Sequence, residues 1–276
     1  MKIPIFQTVV LIGFVFPLCA APLDKHTFTS VINDVSVIPA SSSVASPAHT
    51  NETFKSSDFV RTGPDSRAEL TAPDNTVTRV GANTVFSFEP ATRTLRLEQG
   101  NVLFHPPKGA GGGTIISGGA SAAVLGTTLI VSATKDGGFK VIMLEGKGTI
   151  TLPNGNSVTL HAGQMVFILP GGTAFSTVLD INLGKLVAGS QLVIGFPDQL
   201  SSMSLINAAI EQQNAQIASG GATDTGVSAD DYVDPPDPAN GLDAVDPGSY
   251  QNAVHPPFTP AQIELLQSKG NGQGPP

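Results

Sequence analysis

The chain has 276 residues, of which 13% are charged and 40% hydrophobic, enough for one domain with a sizeable core. Its formal net charge is −8, and no cluster of basic residues occurs, which argues against a nucleic-acid-binding surface. The acidity is concentrated near the end: from Ser219 onward there are eight Asp or Glu residues against one Lys, a net charge of −7.

The first twenty residues have the pattern of a secretory signal peptide. Lys2 supplies a positive start, residues 3–18 are almost wholly apolar, and Ala20 is a small residue suited to cleavage. An uncleaved anchor and a lipoprotein modified at Cys19 are the alternatives. Because Cys19 is the only cysteine, cleavage leaves a mature chain without disulfides. We expect a periplasmic or secreted protein with no membrane span after signal cleavage.

The next segment, residues 21–57, is predicted to be a low-order linker. Its stretch "PASSSVASPAHTNET" is rich in Ser, Ala and Pro, as linkers are. The preceding "FTSVINDVSVI" has the composition of one isolated strand.

Residues 58–175 are predicted to form a β domain. Short runs that alternate between apolar and polar residues, such as "TVTRV" and "FKVIML", recur between turn sequences. Asn154-Gly155 is the strongest hairpin signal, since both residues tolerate positive φ. A weak repeat joins residues 97–104 and 160–167, each of the form Leu-x-x-Gly-x-apolar-apolar-Phe. A glycine within such a unit marks a bulge or corner, as in stacked coils or a sandwich.

The pattern becomes helical over residues 176–218. One short helix is predicted near Ile181 to Val187, and a longer one carries Met203, Ile206, Ile210 and Ile217 on one stripe. Ser201 or Ser204 is the expected cap of the longer helix, and its stripe is expected to dock on the β body.

The remaining residues, 219–276, are predicted to form a disordered acidic tail. The stretch "SADDYVDPPDPANGLDAVDPG" is too poor in apolar residues to offset the entropy of ordering. A short terminal helix is predicted from Pro260 to Lys269, with a capping box at Thr259.

The sequence offers no strong motif for catalysis or for binding a cofactor or metal. No two histidines have ligand spacing, although folding could bring His105 and His161 together. A solvated linker is favoured over a calcium loop at Asp230, Asp231, Asp234 and Asp237, because prolines interrupt that cluster. "GAGGG", residues 109–113, lacks the ending of a phosphate loop. The acids that a glycoside hydrolase would need are Glu69, Glu89, Glu98, Asp136 and Glu145.

Six blocks, in order between about Phe59 and Ile168, resemble the FecR domain family. The blocks begin at Val60, Arg79, Arg96, Leu125, Val141 and Leu160. The resemblance implies an extracytoplasmic all-β module, described as β-solenoid-like, that receives a signal from an outer-membrane transporter. Because the sequence opens on the export signal, we expect it to lack the cytoplasmic anti-sigma segment of the best-known members.

The fold expected is therefore mainly β, a β-solenoid-like or β-sandwich FecR domain followed by C-terminal helices and the acidic tail. In this frame Thr127 is a strand residue rather than a nucleophile. The expected structural turn or corner residues are Gly63, Gly81, Gly100, Gly126, Gly146 and Gly163.

The leading functional hypothesis is a non-catalytic binding or scaffold module that presents β edges and loops to a protein or an envelope polymer. The alternative is a periplasmic signalling component that relays a signal to a membrane partner. A lesser alternative is an envelope hydrolase. The sequence leaves the oligomeric state open.

Overall fold

A computed structural model of the chain describes residues 22–42, 44–118, 120–133, 138–169 and 172–222. The signal peptide, Asp136 and nearly all of the predicted acidic tail, with its terminal helix, lie outside these residues. The described chain is mainly β with C-terminal helices, as the alternating sequence predicts.

The strands pair into two sets, here called sheet A and sheet B. The strands of sheet A, from one edge to the other, are β4 (Thr53–Lys55), β1 (Lys25–Ile32), β6 (Arg67–Thr71), β7 (Val77–Val80), the second half of β9 (Thr94–His105), β12 (Thr128–Ala133), β13 (Phe139–Glu145), β16 (Gln164–Ile168) and β17 (Leu179–Asp180). All of these pairings are antiparallel.

Sheet B has its own order of strands, and the long strand β9 is shared between the two sheets. Its strands are β3 (Ser46–Pro47), β2 (Val35–Ile38), β5 (Phe59–Thr62), β8 (Val85–Phe88), the first half of β9, β10 (Gly113–Ser117), β11 (Ala120–Val124), β14 (Lys147–Thr151) and β15 (Ser157–His161). Only the β9–β10 pairing among these is parallel.

Apolar side chains from both sheets form one continuous core. Phe28, Val141 and Ile168 come from sheet A, and Phe86 and Ile150 come from sheet B. These positions alternate with polar or outer residues along each strand, because successive side chains point to opposite sides of a pleated sheet.

The prediction of a low-order linker over residues 21–57 is wrong for the strands β1 to β4, which lie within it. Phe28, Val35, Val37 and Phe54 from this segment are buried in the core. The Ser- and Pro-rich composition hid these strands because polar turns separate them, where Asn33 and Asn51 adopt positive φ.

Three helices cover the outer side of sheet A. They are α1 (Leu183–Gly189), α2 (Gln191–Ile194) and α3 (Met203–Ala218). A second apolar cluster unites Leu186, Leu192 and Ile206 from the helices with Ile130 and Ile142 from the sheet. The predicted docking of the long helix is thus confirmed, although Ile217 lies outside this cluster.

The caps of the helices differ from the prediction. The Asn182 side chain accepts a hydrogen bond from the Lys185 amide, 2.8 Å away, so α1 begins two residues after the predicted start. The N-cap of α3 is Ser202, not Ser201 or Ser204, and its side chain makes no capping bond. That hydroxyl contacts sheet A instead.

Candidate functional site

All six predicted corner glycines lie where the chain passes from one sheet to the other. Gly63 follows β5, Gly81 follows β7, and Gly100 divides β9 between the sheets. Gly126 separates β11 from β12, and Gly146 separates β13 from β14. Each passage therefore redirects the chain across the core.

Gly163 makes the sixth passage, between β15 and β16. Gly100, Gly126, Gly146 and Gly163 have φ values of 90°, 64°, 74° and 79°, a region that L side chains rarely adopt. Gly63 and Gly81 do not have positive φ. A Cβ at Gly63 would lie 2.7 Å from the Asp34 carboxylate.

Neighbouring corners are joined by backbone hydrogen bonds. The Gly63 amide donates to the Asp34 carbonyl over 2.9 Å, and the Gly81 amide donates to the Asn101 carbonyl over 2.9 Å. The Gly163 amide donates to the Met143 carbonyl, also over 2.9 Å. These hydrogen bonds tie the corner glycines to neighbouring parts of the chain.

Thr127 does not lie in a strand as predicted, but directly before β12. It is buried, and its methyl group would meet a Cβ on Gly146 at 2.5 Å. Its position leaves it packed at a corner.

A buried polar cluster, called here the Thr128 hub, lies between sheet A and the start of α3. The Thr128 hydroxyl is 2.9 Å from His105 Nδ1, 3.0 Å from Glu145 Oε1 and 2.9 Å from Ser202 Oγ. All four residues are buried. Because one hydroxyl carries one proton, Thr128 donates to a single partner at a time and accepts from another.

Burial shifts the titration of the hub in opposite directions for its two ionisable groups. Burial raises the pKa of Glu145, and the hydrogen bond from Thr128 and the charge of Lys108 only partly oppose this increase. Burial lowers the pKa of His105, and a hydrogen bond to the backbone of Thr127 partly opposes this decrease. Both shifts favour the neutral forms, as expected where water is excluded. A hydroxyl, an imidazole and a carboxyl resemble parts of a catalytic triad, but Thr128 is fully buried and offers no surface to a substrate.

Arg79 is the second prominent polar group beneath the helices, and it is fully buried. Its Nε lies 2.7 Å from Glu69 Oε2, the carboxylate directly opposite it on β6. Its other nitrogens donate to the carbonyls of Val193, at 2.8 Å, and Asp198, at 2.6 Å. The Phe196 ring centroid lies 4.5 Å from the guanidinium carbon. Arg79 therefore fixes α2 and the chain after it to sheet A.

Sequence reasoning missed Arg79 as an anchor, although one signal was present. Glu69 and Arg79 are opposite charges on consecutive short strands, at positions that antiparallel pairing brings face to face. Their burial could not be read from the sequence, because the helices that cover them begin more than a hundred residues later.

The other residues weighed for chemistry are dispersed. Glu98 is exposed on the sheet B half of β9, whereas Glu145 is buried beneath α3. Glu89 pairs with Arg96 on sheet B, and Glu69 pairs with Arg79. The four acids that lie within the described residues therefore do not converge on one cleft.

The histidines are also separated, since His105 is buried in the hub and His161 is exposed on β15. Within the described ranges, no group of three or more His, Cys, Asp or Glu side chains is placed to hold a metal ion. No helix of this part of the chain is long and apolar enough to cross a membrane.

The edge strands of the described sheets differ in length. Sheet A ends in β4 and β17, and sheet B ends in β3 on one side, all of two or three residues. The other edge of sheet B is β15, with five residues. The Asn154-Gly155 signal that leads into it is confirmed as a turn, with positive φ at Gly155 alone.

These features define a mainly β protein with C-terminal helices. The family model described as FecR protein matches residues 58–147 of the chain. The match begins at β5 and ends at the Gly146 corner. Comparison with curated proteins gave no match.

Two crystal structures of candidate anti-sigma factors from Parabacteroides distasonis ATCC 8503 are similar to the chain. One, at 1.65 Å resolution, has 19% identity and a TM-score of 0.41, covering 48% of this chain and 63% of its own. The other, at 2.50 Å, has 15% identity and a TM-score of 0.39, covering 59% of this chain and 91% of its own. The chain thus spans less than two thirds of the first of these proteins.

Proposed function

We propose that this protein is an exported, non-catalytic binding module with a signalling-related role. Its FecR domain supports the signalling side of the proposal. The observation that carries the binding side is the asymmetry of the two sheets. The outer side of sheet A is covered by the protein's own helices from β7 to β16, whereas sheet B keeps exposed residues on its outer side and an open edge at β15.

The composition of the open side favours adhesion to a partner over catalysis. Ala123, Thr149 and Thr159 are exposed on the neighbouring strands β11, β14 and β15 of sheet B, and Arg61 is exposed on β5 of the same sheet. Short hydroxyl and methyl groups on a paired sheet lose little side-chain entropy on contact. His105 and Glu145, whose pKa values are shifted by burial, instead lie beneath α3 on the other sheet.

The finer architecture is part of the proposal. We interpret the body as a sandwich whose chain winds from sheet to sheet in the manner of a solenoid. This interpretation is supported by the core shared between the sheets and by the position of the six glycines at the passages.

In vivo photo-crosslinking tests the binding proposal. A photoreactive residue at Thr149 or Arg61 should give a discrete adduct, and the same residue at Asn214, exposed on α3, should not. Adducts only from Asn214, or from none of the three, would contradict the proposal. N-terminal sequencing of the mature protein tests export, with Ala21 expected as the first residue.

Signal relay to a membrane partner is the second candidate, favoured by the arrangement of the helices. α1 to α3 lie over sheet A on a shared apolar cluster, and Arg79 ties α2 and the chain after it to the sheet. Such a layer can change position as a unit when a partner competes for it.

Expression profiling separates relay from binding alone. Deletion of the gene should change transcription of a defined set of genes, and the wild-type protein should restore it. Unchanged transcription in the deletion strain, together with a Thr149 adduct in the strain that makes the photoreactive protein, would favour a scaffold without relay.

A further inference from the structure

We propose that the open edge of β15 binds an extended peptide segment of another protein as an added antiparallel strand. This inference rests on the proposed binding function and names the site and the partner. It starts from the length of the edge, since β15 pairs with β14 through five consecutive residues without a bulge.

The hydrogen bonds at both ends of the β14–β15 hairpin define which backbone groups point outward. The Leu152 amide donates to the Asn156 carbonyl, and the Ala162 amide donates to the Gly146 carbonyl. Bonded pairs alternate along an antiparallel ladder, so the backbones of Val158 and Leu160 face β14. The backbone groups of Ser157 and Thr159 therefore face away from the sheet.

Among the outward backbone groups of β15, the amide at the His161 end already has a hydrogen-bond partner within the protein. The amide of His161 donates to the Gln164 side chain over 3.0 Å, and that side chain in turn donates to Asp180 over 3.0 Å. An added strand would therefore form its central hydrogen bonds with Thr159 of β15, whose N–H and C=O both point outward.

β15 lacks the features by which proteins usually protect an edge strand. Its sequence "SVTLH" contains no proline, lysine or acidic residue. Val158 is half-buried and packs against the core between the sheets. An added strand would place alternate side chains beside Val158, so apolar residues are expected there.

Charge favours a foreign peptide over a second copy of this chain. Lys147 lies opposite His161, and both are exposed at one end of the edge. Two copies of β15 paired about Thr159 would set His161 against Ser157 of the other copy and offer Lys147 no acid. A five-residue edge also buries far less than the roughly 1,000 Å² of a stable dimer interface. An acidic residue at the start of an antiparallel peptide would meet Lys147 and His161.

The partner segment therefore has the form acidic, apolar, hydroxyl, apolar, polar. A capped Asp-Val-Thr-Val-Ser peptide is the probe, and its binding to the full chain is followed by ¹⁵N chemical shifts. Shifts are expected at Ser157 and Thr159 in preference to α3. Methylation of the peptide threonine nitrogen should weaken binding at least tenfold, because that N–H would bond Thr159. Methylation of the following valine nitrogen, which points away, should change it less than twofold.

Two protein variants complete the test. Thr159→Pro removes an outward N–H that β14 does not use and should weaken binding at least tenfold, whereas Thr159→Val keeps the backbone and should retain binding. Thermal unfolding confirms that both variants are folded, and the methylated peptides decide the matter should Thr159→Pro unfold.

Equal binding of both methylated peptides, or no binding, would overturn the strand-addition inference. Self-association of the wild type that Thr159→Pro abolishes would assign the edge to a second copy and overturn it as well. In either case a persistent Thr149 adduct would leave the proposed binding function standing.

Discussion

The strands of the two sheets differ in how they are buried, and the difference shows what each sheet faces. β12 and β13 of sheet A are buried at every residue, because the core lies on one side and the helices lie on the other. β11 and β14 of sheet B alternate between buried and more exposed residues. A sheet covered on both sides has continuous apolar strands, and a sheet open on one side has alternating ones.

The largest expected effect comes from replacing Arg79, the buried residue that links sheet A to the helices. Arg79→Met leaves Glu69 and the carbonyls of Val193 and Asp198 without their donor. We expect a loss of about 3–5 kcal/mol in the free energy of unfolding, as for other broken buried ion pairs. Urea denaturation measures it.

Arg96→Met is the matched control on the open side. Arg96 pairs with Glu89 on sheet B, and both side chains are partly solvated. Exposed pairs contribute about 0–1 kcal/mol, so this variant should unfold near the wild-type midpoint. Equal losses of unfolding free energy in the two variants would show that the ion pair beneath the helices contributes no more than the solvated pair on sheet B.

The second prediction concerns His26, which lies between the sheets. Burial lowers its pKa to about 4, although Asp74 and Asp24 oppose the shift and Arg93 adds to it. The ring stacks on Phe88 with centroids 3.7 Å apart. Because the folded state binds the proton less well than the unfolded state, its stability is full above pH 6.5 and falls as the pH drops towards 4.

The corresponding loss is about 3 kcal/mol, since one pKa unit corresponds to about 1.4 kcal/mol. His26→Phe, which retains an aromatic ring, should flatten the unfolding free energy between pH 4 and 7. His161→Phe on the exposed edge should keep the wild-type profile. If His26→Phe leaves the pH dependence of the unfolding free energy unchanged, another residue is responsible for the acid sensitivity.

The third prediction compares two threonines of the two sheets. Thr128→Val deprives Glu145, His105 and Ser202 of their shared partner, and a buried polar group without a partner costs about 1–3 kcal/mol. Thr149→Val, on the open side, should change stability by less than about 0.5 kcal/mol. Thermal unfolding of both variants checks the comparison, which fails if Thr149→Val proves the more damaging.

The sequence predicted the β class, because the alternation of apolar and polar residues is a local property. The sequence also contains a signal for the strands that the helices cover. "TLIVSA" and "FKVIMLE" are nearly continuous apolar runs, whereas "ASAAV" and "KGTIT" are not. The Thr128 hub could not be predicted, since it joins residues from β9, β12, β13 and the start of α3.

The smallest expected effect is on the pH dependence of the hub. Burial raises the pKa of Glu145, so the folded state holds its proton more tightly than the unfolded state. This stabilisation is present below the unfolded pKa of about 4.5 and is lost as the pH rises through the folded value. Glu145→Gln keeps an oxygen that accepts from Thr128 but cannot ionise, so its stability relative to the wild type should increase from pH 4 to pH 8. The same substitution at Glu98, exposed on sheet B, should show no such trend. Parallel pH profiles for Glu145→Gln and the wild type would mean that the covered side admits enough water to solvate the carboxylate, and the contrast between the sheets would then be one of packing alone.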